Sequence, residues 1–382
     1  MRFALVGPAH PFRGGIAQYN SALFRALSVE HEALLISFRR QYPAFFFPGK
    51  TQTDSSQEPF IVPGEEILDS LRPSSWSAVA QRILEYAPDA VVFQWWQPFF
   101  GLAYSSICRA VRAQSQIPVI FLCHNILSHG EVKFPGREAI ERLLVKRSFT
   151  HADGFLVHAD GLVRLLKEFR PASPVRKIYL PLFDFYQRWD DAPASESEVP
   201  RLLFFGKIRP YKGLETFLEA LVLLQGRMPF EATIAGEFYV DPRPLKQLVR
   251  KNGLENQVTW IDRYISNEEV PHVFRSADVV VLPYVEATQS GVVSAAYQFD
   301  VPVIASDVGG LSEIVIDGKT GGLVPPGNAE ALAEKIVHYF EARKKKEFQE
   351  NIREFRQRMS WNQAIDNLVD LVDELRRRRA DV

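Results

Sequence analysis

Residues 284–310 read YVEATQSGVVSAAYQFDVPVIASDVGG. The apolar run from Val279 to Pro283 leads into this stretch and predicts a buried strand, and Val301 to Ala305 predicts the next strand. Between these strands, a loop of small residues at 287–291 opens a short helix at Val292. The stretch is therefore a strand–helix–strand unit, which favours an α/β fold built on parallel strands.

The loop before this helix can serve one of two roles. A helix N-terminus offers unpaired N–H groups and a partial positive charge, so it can hold a phosphate without a charged side chain. Thr288, Gln289 and Ser290 can equally well act as helix caps and nothing more. The loop alone does not decide between a phosphate cradle and a cap, and both interpretations stay open at this point.

Length and composition indicate a globular chain of two domains. The chain has 382 residues, and single hydrophobic cores stop growing at roughly 250–300 residues. Hydrophobic residues make up 46% and aromatic residues 12%, which is enough for two cores and argues against general disorder. The 45 Lys and Arg residues nearly balance the 46 Asp and Glu residues, which removes the whole-chain argument for nucleic-acid binding. Any anionic partner is therefore expected to be bound locally.

Cysteine content and hydropathy indicate the compartment. Cys108 and Cys123 are the two cysteines of the chain, which argues against a disulfide framework and fits a reducing compartment. The first residues, MRFALVGPAH, form too short an apolar run for a signal peptide. The most apolar window, Ala90 to Val111, is interrupted by Gln94 and other polar residues, so no transmembrane helix is expected. We expect a cytoplasmic protein, either soluble or bound peripherally at the inner face of a membrane.

Two glycines mark the first predicted strand-to-helix loop. Gly14 and Gly15 stand just before a predicted helix at 16–27, where a missing Cβ lets a ligand or another backbone come close. The spacing of Gly7, Gly14 and Gly15 does not match the G-x-G-x-x-G pattern of a dinucleotide fold. A nicotinamide cofactor is therefore not expected.

His124 directly follows a predicted strand at 118–123. In an open parallel sheet, ligands bind at the carboxyl ends of the strands, and this histidine lies at such an end. A histidine there can donate a hydrogen bond to a substrate hydroxyl or handle a proton. It can also be a turn histidine tied to the backbone, and the residue alone leaves both interpretations open.

Two further segments of the first half are candidates for surface contacts. Phe45, Phe46 and Phe47 lie in a proline-bounded loop and need cover from the protein, a partner or a lipid. A predicted helix at about 136–148 is rich in basic residues, which fits a solvated face or contact with an anionic membrane surface.

The composition changes between the two halves of the chain. Residues 181–200 are rich in Pro, Ser, Asp and Glu and show no periodicity, which predicts a domain boundary. We assign residues 1–185 to an N-terminal domain, 186–200 to a linker, 201–358 to a C-terminal domain and 359–382 to a final amphipathic helix.

The second domain begins with a predicted strand at 201–205 and the loop GKIRPYKG. Lys207, Arg209 and Lys212 bring three cations into this loop, at the carboxyl end of a strand and beside the expected position of the 287–291 loop. Clustered Lys and Arg side chains commonly clamp phosphate groups. We therefore predict that the two loops together grip a phosphate-bearing ligand. No cluster of metal ligands is evident in the sequence.

Taken together, these pieces resemble the family-4 glycosyltransferases of the GT-B fold, in which two Rossmann-like domains face each other across a cleft. The resemblance covers nearly the whole chain. It rests on the Gly14-Gly15 loop, His124, GKIRPYKG, Gly236-Glu237, ADVVVLPY, the 284–310 stretch, VGGLSEIV and the final tryptophan-bearing helix. It implies an α/β fold of two doubly wound domains, with the acceptor on residues 1–185 and the nucleotide-sugar donor on 201–358. The C-terminal helix of 359–382 would cross back to the first domain.

The resemblance also implies a reaction and its residues. A sugar would pass from a nucleotide diphosphate sugar to an acceptor hydroxyl, with retention at the anomeric carbon. The implied catalytic residues are Lys207 and Lys212, which would hold the donor diphosphate, and His124, which would contact the transferred sugar. The implied donor-binding residues are Gly14, Gly15, Arg209, Glu237, Glu286, Thr288, Gln289, Ser290, Gly291, Val292 and Val293. No cofactor or metal would be required, because the lysines stabilise the charge that develops on the leaving diphosphate.

One pattern of the family is missing from this chain. Many members carry Glu-x7-Glu in this stretch, and its two positions, aligned on Pro302, fall here at Ala287 and Ala295. Glu286 stands beside the first position, and Gln289 or Ser290 can take over part of the ribose contact.

Two function classes follow from this departure. The first is a transferase of surface polysaccharide or glycolipid assembly that acts on a lipid-linked or saccharide acceptor. The alternative is a non-catalytic GT-B protein that binds a nucleotide sugar or serves as a partner subunit. An epimerase of the same architecture is a more distant option.

Overall fold

The computed structural model describes residues 1–43, 51–128, 136–190 and 197–380. Phe45, Phe46 and Phe47 lie outside these ranges, as do residues 191–196 of the expected linker. The chain forms two compact units. The first comprises Met1–Asp54, Pro59–Tyr179 and Trp361–Val382, and the second comprises Ser55–Glu58 and Leu180–Ser360.

The first unit is built on a seven-stranded sheet in the order β3-β2-β1-β4-β5-β6-β7, and all the strand pairs are parallel. Its strands are β1 (Arg2–Val6), β2 (Glu32–Arg40), β3 (Glu65–Asp69), β4 (Ala90–Trp95), β5 (Val119–Cys123), β6 (Gly154–Val157) and β7 (Val175–Lys177). The helices between them are α1 (Gly15–Leu27), α2 (Pro73–Tyr86), α3 (Gly101–Gln114), α4 (Arg137–Phe149) and α5 (Asp160–Phe169).

The second unit is built on a six-stranded parallel sheet in the order β10-β9-β8-β11-β12-β13. Its strands are β8 (Arg201–Phe205), β9 (Glu231–Ala235), β10 (Val258–Ile261), β11 (Val279–Leu282), β12 (Val303–Ser306) and β13 (Gly321–Val324). Its helices are α6 (Leu214–Leu224), α7 (Arg243–Lys251), α8 (Val270–Arg275), α9 (Gly291–Gln298), α10 (Ala329–Glu341) and α11 (Lys345–Arg356).

The strand sequences explain this architecture. β11 reads VVVL, β4 reads AVVFQW, and every residue of both strands is buried. Such continuous burial is typical of parallel strands that are covered by helices on both faces. In each sheet the strand order reverses once near the middle, between β1 and β4 in the first unit and between β8 and β11 in the second. In open α/β sheets ligands bind at the carboxyl ends of strands beside such a reversal. The loops at these positions are therefore the candidate ligand sites.

The last helix, α12 (Trp361–Ala380), belongs to the first unit. The Trp361 ring lies 5.2 Å from the Tyr19 ring of α1, and Arg379 forms an ion pair with Asp153 at 2.7 Å. A Cβ on Gly154 would lie 3.1 Å from Leu371 Cδ1, so α12 packs closely on β6. The prediction that the C-terminal helix crosses back to the first domain is therefore confirmed.

The chain enters the second unit at Leu180, earlier than the linker expected at 186–200. A short 3₁₀ helix at Asp184–Trp189 buries Phe185, Tyr186 and Trp189 in the second unit. Ser55–Glu58 also belongs to that unit, where Glu58 accepts a hydrogen bond from Trp189 Nε1 at 2.7 Å. The local sequence shows neither feature, because both depend on contacts between distant parts of the chain.

Candidate functional site

Two loops of the second unit stand at the reversal of its strand order. Residues 206–213 follow β8, and residues 283–290 follow β11. Val285 N donates to Tyr211 O at 2.8 Å. Gly213 has a φ of 67°, and a Cβ on it would lie 1.9 Å from Pro283 O. The cationic loop and the small-residue loop are therefore packed directly against each other.

Lys212 is buried between these loops, with 7% of its surface exposed. Its Nζ lies 5.3 Å from the centre of the Tyr284 ring. A Cβ on Gly206 would lie 2.8 Å from Lys212 Nζ and 3.6 Å from Val292 Cγ2. The ammonium group is thus next to the first turn of α9, and the absence of a side chain at Gly206 leaves room for it.

No carboxylate of the described residues pairs with Lys212. Burial lowers the pKa of Lys212 below its ordinary value; the neighbouring Tyr211 raises this pKa, and Arg209 lowers it further. The Arg209 guanidinium lies over the Tyr239 ring at 4.7 Å, and Lys207 Nζ lies 5.8 Å from the same ring. Because burying an unpaired ammonium is costly, this arrangement suits an anionic ligand that supplies the missing charge.

The loop before α9 packs closely against the backbone of two glycines, Gly309 and Gly310. Gly309 has a φ of 51°, and a Cβ on it would lie 1.7 Å from Ala287 O. Gly310 N donates to Thr288 O at 3.1 Å. These contacts fix the path of the loop, and only glycine at 309 permits the close approach.

Ser290 caps α9. Its Oγ accepts a hydrogen bond from Val292 N at 3.3 Å and lies 3.4 Å from the Tyr284 hydroxyl oxygen. Val293 N donates to Ser290 O at 3.1 Å. Within the described chain these bonds engage the amides of Val292 and Val293 and leave the N–H of Gly291 as the first-turn donor for a ligand. Ser290 therefore acts as the N-cap of α9.

Two acidic candidates have different surroundings. Glu237 is 4% exposed, and its carbonyl accepts a hydrogen bond from Ile208 N at 2.9 Å, which ties the loop after β9 to the cationic loop. Glu286 is exposed on the loop after β11. Ala295, at the second glutamate position of the resemblance, is 4% exposed within α9.

The other candidates lie in the first unit. Gly14, with a φ of 108°, precedes α1 and provides no side-chain cap. A Cβ on Gly15 would meet nothing within 4 Å, so the start of α1 is open on this side. The N-terminus of this helix is therefore available to an anionic group.

His124 is buried at the carboxyl end of β5, with 1% of its surface exposed. Its Nε2 lies 2.9 Å from Gln94 Oε1, and its ring centre lies 4.8 Å from that of Tyr19 and 5.3 Å from that of His158. Burial lowers the pKa of His124 well below its usual value, and His158 lowers it further. Burial also lowers the pKa of His158 to about 4. Both rings are therefore neutral near neutral pH.

Two polar residues of this group were missed by sequence reasoning. In the sequence, Gln94 stands only as an interruption of an apolar window, and no motif includes His158. The available signal was a single amide in the otherwise apolar strand AVVFQW, and a histidine that directly follows the strand GFLV. In both cases a polar side chain stands where the strand pattern predicts full burial.

The described residues show neither a cluster of metal ligands nor a membrane-spanning helix. They contain no group of three or more His, Cys, Asp and Glu side chains suited to hold a metal ion. They also contain no helix with both the length and the apolar character needed to cross a membrane.

Comparisons with known sequences identify the family. Residues 199–342 match the family described as glycosyl transferases group 1. The chain is 37% identical over 357 residues to D-inositol 3-phosphate glycosyltransferase of Arthrobacter sp. (strain FB24), with 85% of this chain and 81% of that protein covered. It is 36% identical over 344 residues to the enzyme of the same name from Paenarthrobacter aurescens (strain TC1), with 84% and 83% covered.

Solved structures show the same fold at lower identity. Sucrose-phosphate synthase from Thermosynechococcus elongatus superposes with a TM-score of 0.71 at 20% identity, with 100% of both chains covered. Anabaena HepE in complex with UDP superposes with a TM-score of 0.71 at 19% identity, again with 100% of both chains covered. These likenesses confirm an α/β fold of two Rossmann-like, parallel-sheet domains, the GT-B fold. The sequence matches establish that this chain belongs to the glycosyl transferases group 1 family and is a glycosyltransferase.

Proposed function

We propose that the enzyme transfers a sugar from a nucleoside diphosphate sugar to an acceptor hydroxyl, with retention at the anomeric carbon. The observation that carries this proposal is the Lys212 ammonium, which is buried, lacks a carboxylate partner in the described chain and lies beside the start of α9. A diphosphate supplies the anionic oxygens that this position requires.

The geometry suits the departure of a diphosphate. Negative charge grows on the leaving group in the transition state, and fixed cations and amides stabilise it best where water is excluded. In this mechanism Lys212 and the N–H of Gly291 grip the phosphate nearest the sugar, while Lys207 and Arg209 neutralise the rest. These side chains carry the positive charge, so we propose that no metal ion is required. Gly14 and Gly15 of the open α1 terminus would approach the donor, and His124 would contact the transferred sugar.

The donor's ribose needs a partner other than the missing glutamates. We propose that Gln289 hydrogen-bonds the ribose hydroxyls, because Ser290 is already engaged as a cap. Replacing Gln289 by Ala is then expected to raise the donor KM several-fold, by about 1 kcal/mol of lost hydrogen bonding, and to leave kcat nearly unchanged. Initial rates at varied donor concentration measure this effect, and an unchanged KM would contradict the assignment.

We propose that the acceptor belongs to one of three chemical classes. The sequence resemblance favours a saccharide or lipid-linked acceptor of surface polysaccharide or glycolipid assembly. The sequence relatives are named as D-inositol 3-phosphate glycosyltransferases, which suggests a phosphorylated polyol as the third acceptor class. A panel of these three acceptor classes with each nucleotide sugar separates them by product mass.

We further propose that the enzyme works in the cytoplasm at an anionic membrane surface. The outer face of α4 exposes Ile140 and Leu143, at 52% and 65%, and Lys146 and Arg147 are exposed further along it. Exposed apolar side chains beside basic ones suit the interface of an anionic bilayer. Sedimentation with vesicles of about 30% phosphatidylglycerol tests this, since each charge near the surface contributes about 1 kcal/mol. Leu143→Glu should lower binding, whereas Leu223→Glu, on the second unit, should not. Equal binding of both variants would contradict the assignment.

The transfer reaction itself is tested with a panel of nucleoside diphosphate sugars. The wild-type enzyme should release the nucleoside diphosphate slowly by hydrolysis and faster with an acceptor, and Lys212→Met should lose this activity. Lys251→Met serves as the control, because Lys251 is an exposed lysine at the end of α7. Tight nucleotide-sugar binding without any turnover would overturn the proposal.

A further inference from the structure

Gln94 is a fully buried amide in a strand that is otherwise apolar. All residues of β4, AVVFQW, are buried, and Gln94 is 0% exposed. A Cβ on Gly7 would lie 2.5 Å from Gln94 Cγ and 3.1 Å from Asn20 Nδ2. Gly7 follows β1, the neighbour of β4, so the adjacent chain leaves space for this side chain that only a glycine can leave.

Only one end of this amide is hydrogen-bonded within the described residues. Gln94 Nε2 has no hydrogen-bond partner among the described residues. An unpaired buried polar atom costs stability, so Gln94 carries a cost at Nε2 that an apolar side chain of similar size would not carry. Features that cost stability concentrate at functional sites, and Gln94 stands at the carboxyl end of a strand beside the reversal of strand order.

The amide oxygen of Gln94 forms a hydrogen bond with His124. Gln94 Oε1 lies 2.9 Å from His124 Nε2, and the Tyr19 ring packs edge-on against the imidazole at 4.8 Å. The neutral imidazole carries one proton. With an oxygen facing Nε2, that proton resides on Nε2, and Nδ1 is then an acceptor. The amide therefore selects both the orientation and the tautomer of the ring.

We propose that Gln94 is a positioning residue for the transfer reaction, which fixes His124 in one orientation and one tautomer without touching the substrate. This inference rests on the proposed function, in which His124 contacts the transferred sugar. A fixed ring presents one defined nitrogen to a sugar hydroxyl. Loss of this hydrogen bond removes the contact that favours the Nε2–H tautomer, so a smaller part of the population presents the competent nitrogen.

Gln94→Met tests the proposal, because methionine has a similar volume and offers no hydrogen bond to His124. Tyr104→Phe is the matched control. Tyr104 is also 0% exposed, and its hydroxyl also lacks a partner in the described chain. Its ring packs on Phe93 at 5.1 Å, and Phe93 and Gln94 point to opposite faces of the sheet.

Three quantities are measured: the melting temperature, kcat with the donor KM, and the tautomer of His124 by ¹⁵N NMR of the imidazole nitrogens. We expect Tyr104→Phe to melt at the wild-type temperature or higher, because it loses an unpaired buried hydroxyl. Gln94→Met should melt at the wild-type temperature or lower, because it removes the unpaired Nε2 but also leaves His124 Nε2 without its amide partner. Only Gln94→Met should lower kcat, by about 10- to 100-fold, with little change in the donor KM. Only this variant should convert His124 from a single Nε2–H tautomer to a mixture.

An unchanged His124 tautomer in Gln94→Met would overturn the proposal, and so would an unchanged kcat despite a changed tautomer. The wild-type spectrum is a test that does not require the variant to fold: a mixture of tautomers, or a single Nδ1–H form, would also overturn it. The NMR measurement does not depend on turnover. A wild-type enzyme inactive with every nucleotide sugar would contradict the proposed function, while the hold of Gln94 on His124 would still be measured.

Discussion

The two units carry buried polar groups at equivalent places, the carboxyl ends of central strands, but the groups differ in charge. In the second unit, Lys212 is a buried cation without a carboxylate partner among the described residues, and Arg209 lies close by. In the first unit, His124, His158 and Gln94 are neutral. The shared fold provides the same location twice, and the residues decide the chemistry. The charged set suits a diphosphate, and the neutral set suits sugar hydroxyls.

The largest expected effect is on the charged side of this comparison. Lys212→Met should lower kcat/KM by about 10³-fold, or about 4 kcal/mol, because in the proposed mechanism it removes the buried charge that stabilises the leaving diphosphate. Steady-state assays with a saturating acceptor measure it. A loss below about tenfold would show that Lys212 does not stabilise the leaving group.

Substitution of the neutral group in the first unit should lower activity less than substitution of Lys212. His124→Ala is expected to lower kcat by about 10²-fold, since it removes one oriented hydrogen bond to the sugar and leaves the diphosphate grip intact. The affinity for the free nucleoside diphosphate should stay unchanged, and calorimetric titration checks this. If His124→Ala weakened nucleotide binding as strongly as Lys212→Met, the division of roles between the two units would be wrong.

Gly206 tests the geometry of the charged site without removing a charge. A Cβ there would lie 2.8 Å from Lys212 Nζ, and the residue has a φ of 105°, so Gly206→Ala should displace the ammonium. We expect the Kd for nucleoside diphosphate to rise about tenfold, or about 1.4 kcal/mol. Gly226→Ala is the control for backbone strain, because Gly226 has a φ of 72° and open space around its Cβ position. Equal Kd values for the two variants would contradict the account.

The smallest effect concerns stability without ligand. Burial places the pKa of Lys212 below its unfolded value, so between these two pH values the unfolded chain binds more protons than the folded chain. The free energy of unfolding contributed by this residue therefore rises with pH across that window. Chemical denaturation as the pH is raised toward 10.5, the ordinary pKa of lysine, should show a rise in the wild type that is smaller in Lys212→Met. Identical slopes would mean that the buried ammonium is not destabilising.

The charged site could be predicted from the sequence, whereas the group around His124 could not. Lys207, Arg209 and Lys212 lie within one loop, so their clustering was visible in the sequence, and the loop order placed them beside residues 287–291. The group around His124 comes from α1, β4, and the loops after β5 and β6, so only the folded sheet assembles it. The predicted strands matched because buried parallel strands are continuous apolar runs.

Long-range contacts also explain the remaining differences. Asn267, which precedes α8, donates its backbone N–H to Ser56 Oγ at 3.0 Å, although the two residues are 211 positions apart in the chain. The segment around Asp184–Trp189 looked like part of a linker, but its aromatic side chains are buried in the second unit. In both places the deciding partner is remote in sequence, and local patterns carry no information about it.

We propose that the diphosphate of the donor is held jointly by Lys212 and the N–H of Gly291. A crystal structure of the enzyme with a nucleoside diphosphate, grown in the presence of EDTA, tests this most directly. We predict one phosphate with oxygens about 3 Å from both Lys212 Nζ and Gly291 N. A nucleotide whose phosphates contact neither group, or that binds only when a divalent metal is added, would contradict it.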